Sequence, residues 1–250
     1  MIVCKSPVEL EKMRAAGRVV ARVLETVAAR VAPGLATLEL EELAEREIAA
    51  AGARPAFKGY HGYPCVLCTS VNDEIVHGIP SERKLQRGDV VSIDVGVELD
   101  GYFADTATTV ALEPVTPQVA KLLRVTREAL DQAVERMRAG NYLGDISATI
   151  QQHVEAAGFN VVREFVGHGI GTRMHEEPQV PNYTNPAQGR GPKLAVGMVL
   201  AIEPMVTTGS PAVKIRSDRW TAVTADGGTA VHFEHCVAVT PNGPWILTEP

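Results

Sequence analysis

KLQRGDVVSIDVGV (residues 84–97) and KLAVGMVLAIEPMV (residues 193–206) align without a gap. They share Lys84/Lys193, Leu85/Leu194, Gly88/Gly197, Val90/Val199, Ile93/Ile202 and Val97/Val206, and they set Asp94 opposite Glu203. In the first copy Val91, Ile93, Val95 and Val97 alternate with Ser92, Asp94 and Gly96. This is the period of a strand with one face on a core and the other free for polar groups. An ionised carboxylate in such a run is costly to bury unless a cation or hydrogen-bond donors compensate it. Two such strands related by pseudosymmetry would offer a metal site.

The flanking sequence is duplicated too. Ser6-Pro7-Val8-Glu9 is a capping box with proline at the first helical position, followed by Leu10, Met13, Gly17, Val20, Leu24, Val27 and Val31 on one face as far as Pro33-Gly34. A second helix runs from about Thr37 to near Gly52. Thr116-Pro117 opens the pattern again, with Val119, Leu122, Thr126, Leu130, Ala133 and Met137 up to Gly140, and Asp145 caps a shorter helix ending at Ala156-Ala157-Gly158. Two copies at this spacing are too few for a solenoid and predict two halves of one unit, about 1–110 and 111–250. Asp100-Gly101 is a primed hairpin turn that returns the chain and brings Asp105 beside Asp94, and Ala225-Asp226-Gly227-Gly228 precedes a strand from Ala230 to Val239 that carries Glu234. The expected class is α+β: helix-helix-strand halves related by a pseudo-twofold axis, around a curved antiparallel sheet.

Composition narrows the functions available. A net charge of −6 argues against nucleic acid as the main ligand. No apolar run is long enough for a membrane span, and MIVCKSPVELEKM lacks the basic and hydrophobic regions of an export signal, so a cytoplasmic location is expected. Cys65 and Cys68 form a C-x-x-C pair, but Cys4 and Cys236 are isolated, which favours free thiols over a zinc or disulfide framework.

The polar residues set in apolar or glycine-rich context are His77, Asp94, Asp105, His168, His175, Glu203 and Glu234. Oxygen donors with one or two nitrogens and no thiolate suit Mn, Fe(II), Co or Zn, and four carboxylates suit a dinuclear site better than a single ion. His175-Glu176-Glu177-Pro178-Gln179 is not the H-E-x-x-H zinc helix, because Gln179 replaces the second histidine and Pro178 breaks the helix. His61, His153, His232 and His235 read as structural or surface histidines.

Gly59-Tyr60-His61-Gly62-Tyr63-Pro64, Ile75-Val76-His77-Gly78-Ile79-Pro80, Gly167-His168-Gly169-Ile170-Gly171, His175-Glu176-Glu177-Pro178 and Ile202-Glu203-Pro204-Met205 resemble the motifs of type I methionine aminopeptidases, over essentially the whole chain. The resemblance implies a single catalytic domain, 1–250, with the pita-bread fold. It also implies two divalent metal ions held by Asp94, Asp105, His168, Glu203 and Glu234, with Asp105 and Glu234 bridging. Glu203 would be the general base toward a bridging water, and His77 and His175 would contact the substrate at the scissile carbonyl. Tyr60, Tyr63, Cys68 and Trp220, with Phe57 and Met174 alongside, would accept the methionine side chain.

The implied activity is removal of the amino-terminal methionine from nascent peptides whose second residue is small, by a monomer in transient contact with the ribosome. Two positions depart from the pattern: Gly96 stands where many members carry threonine, and Ala104 where glycine is usual. Both bear on metal affinity. A proline-specific peptidase of the same superfamily is the rival enzyme, disfavoured because such enzymes usually carry a large extra amino-terminal domain. A non-catalytic peptide-binding protein is the rival from another class.

Overall fold

The computed structural model describes residues 1–250, apart from the side chain of Gln188. Its first half runs α1 (Pro7–Ala28), α2 (Thr37–Ala50), β1 (Arg54–Pro55), β2 (Leu67–Val71), β3 (Glu74–Val76), β4 (Val90–Leu99) and β5 (Tyr102–Ala111). The second half begins with α3 (Pro117–Val134), α4 (Leu143–Ala156), β6 (Asn160–Val161), β7 (Gly167–Gly169) and β8 (Glu176–Val180). It continues through β9 (Val199–Ile202), β10 (Met205–Thr207), β11 (Val213–Ile215), β12 (Ala222–Thr224), β13 (Ala230–His232), β14 (His235–Thr240) and β15 (Gly243–Ile246). The α+β class expected from the sequence is the class observed.

The duplication is visible bond by bond. Gly34 N donates to Leu85 O and Gly140 N to Leu194 O; Leu85 N donates to Leu35 O and Leu194 N to Asn141 O. The repeated lysines close the matching bridges Ala36 to Lys84 and Tyr142 to Lys193. Gly88 and Gly197 both take a left-handed φ, 92° and 90°, and donate to Leu112 O and Val239 O. Each half has its own apolar cluster. One gathers Val20, Leu24, Leu40 and Ile48 against Val91, Ile93, Val95 and Val97, and the other gathers Leu122, Leu130, Ile146 and Ile150 against Leu200, Ile202 and Val237.

Helix ends differ from the sequence reading in a regular way. Ser6 and Glu9 form the expected capping box, a device worth about 1 kcal/mol. The helices α1 and α3 stop several residues before Gly34 and Gly140, because their last turns tighten to three-residue bonds, Arg30 N to Val27 O and Met137 N to Val134 O. Asp145 is not the cap residue itself. It sits three positions inside α4, and its carboxylate reaches back to Tyr142 N at 2.9 Å, as Glu39 does to Ala36 N in α2. The helix α1 lies so close to the C-terminal segment that a Cβ on Gly17 would stand 2.0 Å from Leu247 O.

The curved sheet is interrupted into four. β1-β4-β2 with β5 beside β4 forms one, β13-β10-β6 and β11-β12-β3 form two small ones, and β15-β14-β9-β7-β8 forms the largest. The Asp100-Gly101 turn is of the primed type, with φ 50° and 82°. It sets Asp105 opposite Gly96, so Asp105 and Asp94 are diagonal neighbours on one face rather than a direct pair. The strand expected from Ala230 to Val239 is instead two, β13 and β14, broken at Phe233-Glu234. A break at Glu203-Pro204 likewise divides β9 from β10, because proline cannot donate to the ladder.

The two departures find local reasons. Ala104 is 1 % exposed and lies opposite Val97, within the core cluster behind β4, so it faces away from Asp105. At Gly96 an added Cβ would meet the Phe57 ring at 2.6 Å, so the aromatic side chain occupies the volume a threonine would need. Gly96→Thr should therefore destabilise the protein by about 1–3 kcal/mol through overpacking, and most of that loss should vanish in a Phe57→Ala background. Urea unfolding of the four proteins checks this; equal losses in both backgrounds would mean that Phe57 is not the obstacle.

Candidate metal centre

The structure brings the thirteen candidate side chains around one cavity: Asp94, Asp105, His168, Glu203, Glu234, His77, His175, Tyr60, Tyr63, Cys68, Trp220, Phe57 and Met174. Asp94 and Asp105 project from the middle of the ten-residue strands β4 and β5. Glu203 and Glu234 project from the two strand breaks. An isolated bridge between Ala107 and Glu234 ties β5 to the second break, reinforced by Thr106 Oγ1 donating to Glu234 O at 2.8 Å.

Crowding of like charge defines the electrostatics. Asp105 and Glu234 are 4 % and 2 % exposed, and the Glu203 side chain 13 %. Burial, and then the neighbouring acids, push Asp94, Glu203 and Glu234 well above the ordinary carboxylate range. Burial also lifts Asp105 to about 7. Asp94 Oδ1, Asp105 Oδ1 and Glu234 Oε1 are buried with no hydrogen-bond partner among the described residues. Acceptors left so are expensive, and a cation is what they lack.

His168 completes the donor set. Its Nδ1 lies 2.9 Å from Gly169 O, an acceptor only, so Nδ1 carries the proton and Nε2 offers a lone pair. That nitrogen stands 3.8 Å from both Asp105 Oδ2 and Glu203 Oε1. Ligand atoms of Asp105, His168 and Glu234 all lie within 4.8 Å of one another, with Asp94 and Glu203 at their flanks. Four carboxylates, three of them with an orphaned buried oxygen, and one imidazole nitrogen fit divalent cations.

The apolar side of the cavity is built from Tyr63, 5 % exposed, Cys68, 3 %, and Met174, 2 %, with Trp220 edge-on to Tyr63 at 5.2 Å and Phe57 and Tyr60 partly exposed. Tyr63 Oη donates within the wall, toward Leu67 O and Gly78 O. The two remaining histidines line the opening. His175 is exposed, its Nδ1 2.8 Å from Tyr60 Oη and its ring 4.2 Å from that of His168. His77 holds a left-handed φ of 61°, a costly conformation for a residue with a Cβ and one that clusters at functional sites.

Three of the four histidines read as structural or surface residues make their contacts outside the acid cluster. His153 is bonded between α3 and α4 to Gln132 and Glu128, His235 to Thr248, and His61 packs on Tyr60. His232 is the exception. It is 1 % exposed, and its Nε2 lies 3.9 Å from both Glu203 Oε2 and Glu234 Oε2. Its place two residues before Glu234, the strand period, was the available signal. Asn182 also escaped notice; its Nδ2 donates to Glu203 O at 3.0 Å.

The chain is similar along its whole length to known proteins. The model of metallopeptidase family M24 matches residues 11–241. A methionine aminopeptidase of Clostridium perfringens is 50 % identical over 248 residues, covering 99 % of each chain. The crystal structure of a methionine aminopeptidase from Thermotoga maritima superposes with a TM-score of 0.97 at 45 % identity over the full length of both. A prolidase from Pyrococcus furiosus gives a TM-score of 0.79 at 22 % identity, covering 99 % of this chain and 66 % of that one, a likeness of fold alone. By the family model and by these full-length relatives, the chain belongs to metallopeptidase family M24.

Proposed function

We infer that the protein is a metal-dependent aminopeptidase that removes the amino-terminal methionine from peptides and nascent proteins whose second residue is small, and that residues 1–250 act as one catalytic unit. The observation that carries this reading is the juxtaposition of two environments in one cavity: a buried acid cluster with orphaned oxygens, and an apolar recess walled by Tyr63, Cys68, Met174 and Trp220. Aromatic edges and sulfur pack well against an unbranched thioether.

Asp94, Asp105, His168, Glu203 and Glu234 would hold the metal pair. When bound, the ions supply positive charge that polarises the scissile carbonyl and makes a water acidic enough to attack it. Glu203, at the edge of the acid cluster, would take a proton from the attacking water and return it to the leaving amine. His77 and His175 at the opening orient the peptide and donate to the developing oxyanion, and the Tyr60 contact fixes the His175 ring. Phe57 and Tyr60 close the recess over the methionine side chain. No helix is long and apolar enough to cross a membrane. We place the protein in the cytoplasm as a monomer that meets its substrates during transient ribosome contact, a setting suited to nascent chains.

Metal-free protein reconstituted anaerobically with Mn, Fe(II) or Co should release methionine from Met-Ala-Ser and should cleave Met-Leu-Ser and Ala-Pro peptides far more slowly. Faster cleavage of Ala-Pro would reassign the substrate, and binding without cleavage would mark a peptide-binding protein. Glu203→Gln should lower kcat by about 10²–10⁴-fold while peptide affinity changes little. A Glu203→Gln enzyme near wild-type rate removes Glu203 from the base role.

The acid cluster also predicts how the metal-free protein responds to pH. Asp105 moves from 3.8 to about 7 on folding, so the fold favours its protonated form, and the associated stability is lost as pH rises across that interval. In chelator, Asp105→Asn should therefore melt higher than wild type at pH 8, and the gap should close near pH 4. Thermal scans at both pH values check the sign; a wild type more stable in chelator at pH 8 than Asp105→Asn would reverse it.

A further inference from the structure

His232 has no role in the steps above, yet it stands among the acids. Its backbone is clamped to β5, with Thr109 Oγ1 donating to His232 O at 2.6 Å and accepting from His232 N at 3.1 Å. The side chain is thereby delivered to a fixed place. Nε2 is buried without a hydrogen-bond partner among the described residues, a deficit that a nearby acceptor would relieve. The two carboxylate oxygens beside it are Glu203 Oε2 and Glu234 Oε2, each 3.9 Å away. The other oxygen of each glutamate looks elsewhere: Glu203 Oε1 lies 3.8 Å from His168 Nε2, and Glu234 Oε1 is one of the orphans.

We propose that His232 is a positioning residue whose Nε2–H is directed at Glu203 Oε2 and Glu234 Oε2, so that Glu203 Oε1 and Glu234 Oε1 are turned toward the metal centre and, at Glu203, toward the reacting water. Acceptors flanking Nε2 select the tautomer that carries its proton there. One ring thus sets the aim of a proposed bridging ligand and of the proposed base. The proposal rests on the ligand assignment given under Proposed function, and its effect falls on metal geometry and kcat rather than on peptide binding.

His232→Gln and His232→Met separate donor from shape, because the two side chains are similar in length and only the amide donates. Metal-free proteins are titrated with Co(II), following its visible ligand-field absorption and its affinity, and kcat and KM are then measured on Met-Ala-Ser. His232→Met should bind Co(II) about 10- to 100-fold more weakly with an altered spectrum, and kcat should fall by a similar factor while KM stays within about twofold. His232→Gln should recover most of the loss. A His232→Met protein with wild-type spectrum and affinity overturns the proposal, as does a His232→Gln protein as impaired as His232→Met.

Nitrogen-15 shifts of histidine in the metal-loaded wild type give a reading that needs no variant: protonated Nε2 of His232 is expected, and protonated Nδ1 overturns the idea. Asp105→Asn in the same Co(II) titration distinguishes the two levels. Undiminished binding there means that the ligand assignment fails, before His232 is judged.

Discussion

Four carboxylates converge on one buried point, and the strands, breaks and histidines around them are arranged to meet the cost. Each carboxylate would cost several kcal/mol to desolvate as an isolated charge, and close together they repel one another as well. The protein spends few donors on them: Asp94, Asp105 and Glu234 each keep an oxygen with no partner among the described residues. His168 is turned so that its lone pair, not its proton, faces the acids. A site so arranged is strained without cations and balanced with them. Metal is therefore part of the account of stability as much as of catalysis.

Duplication explains how four acids reach one place, and asymmetry explains why they act differently. The first half supplies aspartates from the centres of unbroken strands, where a short side chain on a stiff ladder has little freedom. In the second half glutamates leave from breaks at Glu203-Pro204 and Phe233-Glu234. Glu203, the residue proposed to move the proton, leaves from the first of these breaks. From outside that ladder His232 Nε2 faces its Oε2 at 3.9 Å, and Asn182 Nδ2 donates to its backbone carbonyl at 3.0 Å.

Much of this was legible in the sequence because the signals were local and period-bound. The repeated strand, the Asp100-Gly101 turn, the Ser6 capping box and the acids in apolar runs all depend on near neighbours. The resemblance to a known family then gathered thirteen residues that the fold sets around one cavity. What escaped depends on distant contacts or on local irregularity. Helix ends tightened earlier than Gly34 and Gly140 implied, and one expected strand broke at Glu234 although its alternation continued on paper. His232 looked like an ordinary core histidine because the acids that surround it come from 29 residues earlier as well as from next door. Gly96 is explained only once Phe57 is seen lying across it.

Anomalous diffraction from crystals of the metal-free protein soaked in Mn(II) would locate the cations. Two peaks are expected inside the acid cluster, one beside Asp94 and one beside His168 and Glu203, with Asp105 and Glu234 between them. Peaks confined to the protein surface, with the cluster empty at saturating Mn(II), would contradict this expectation.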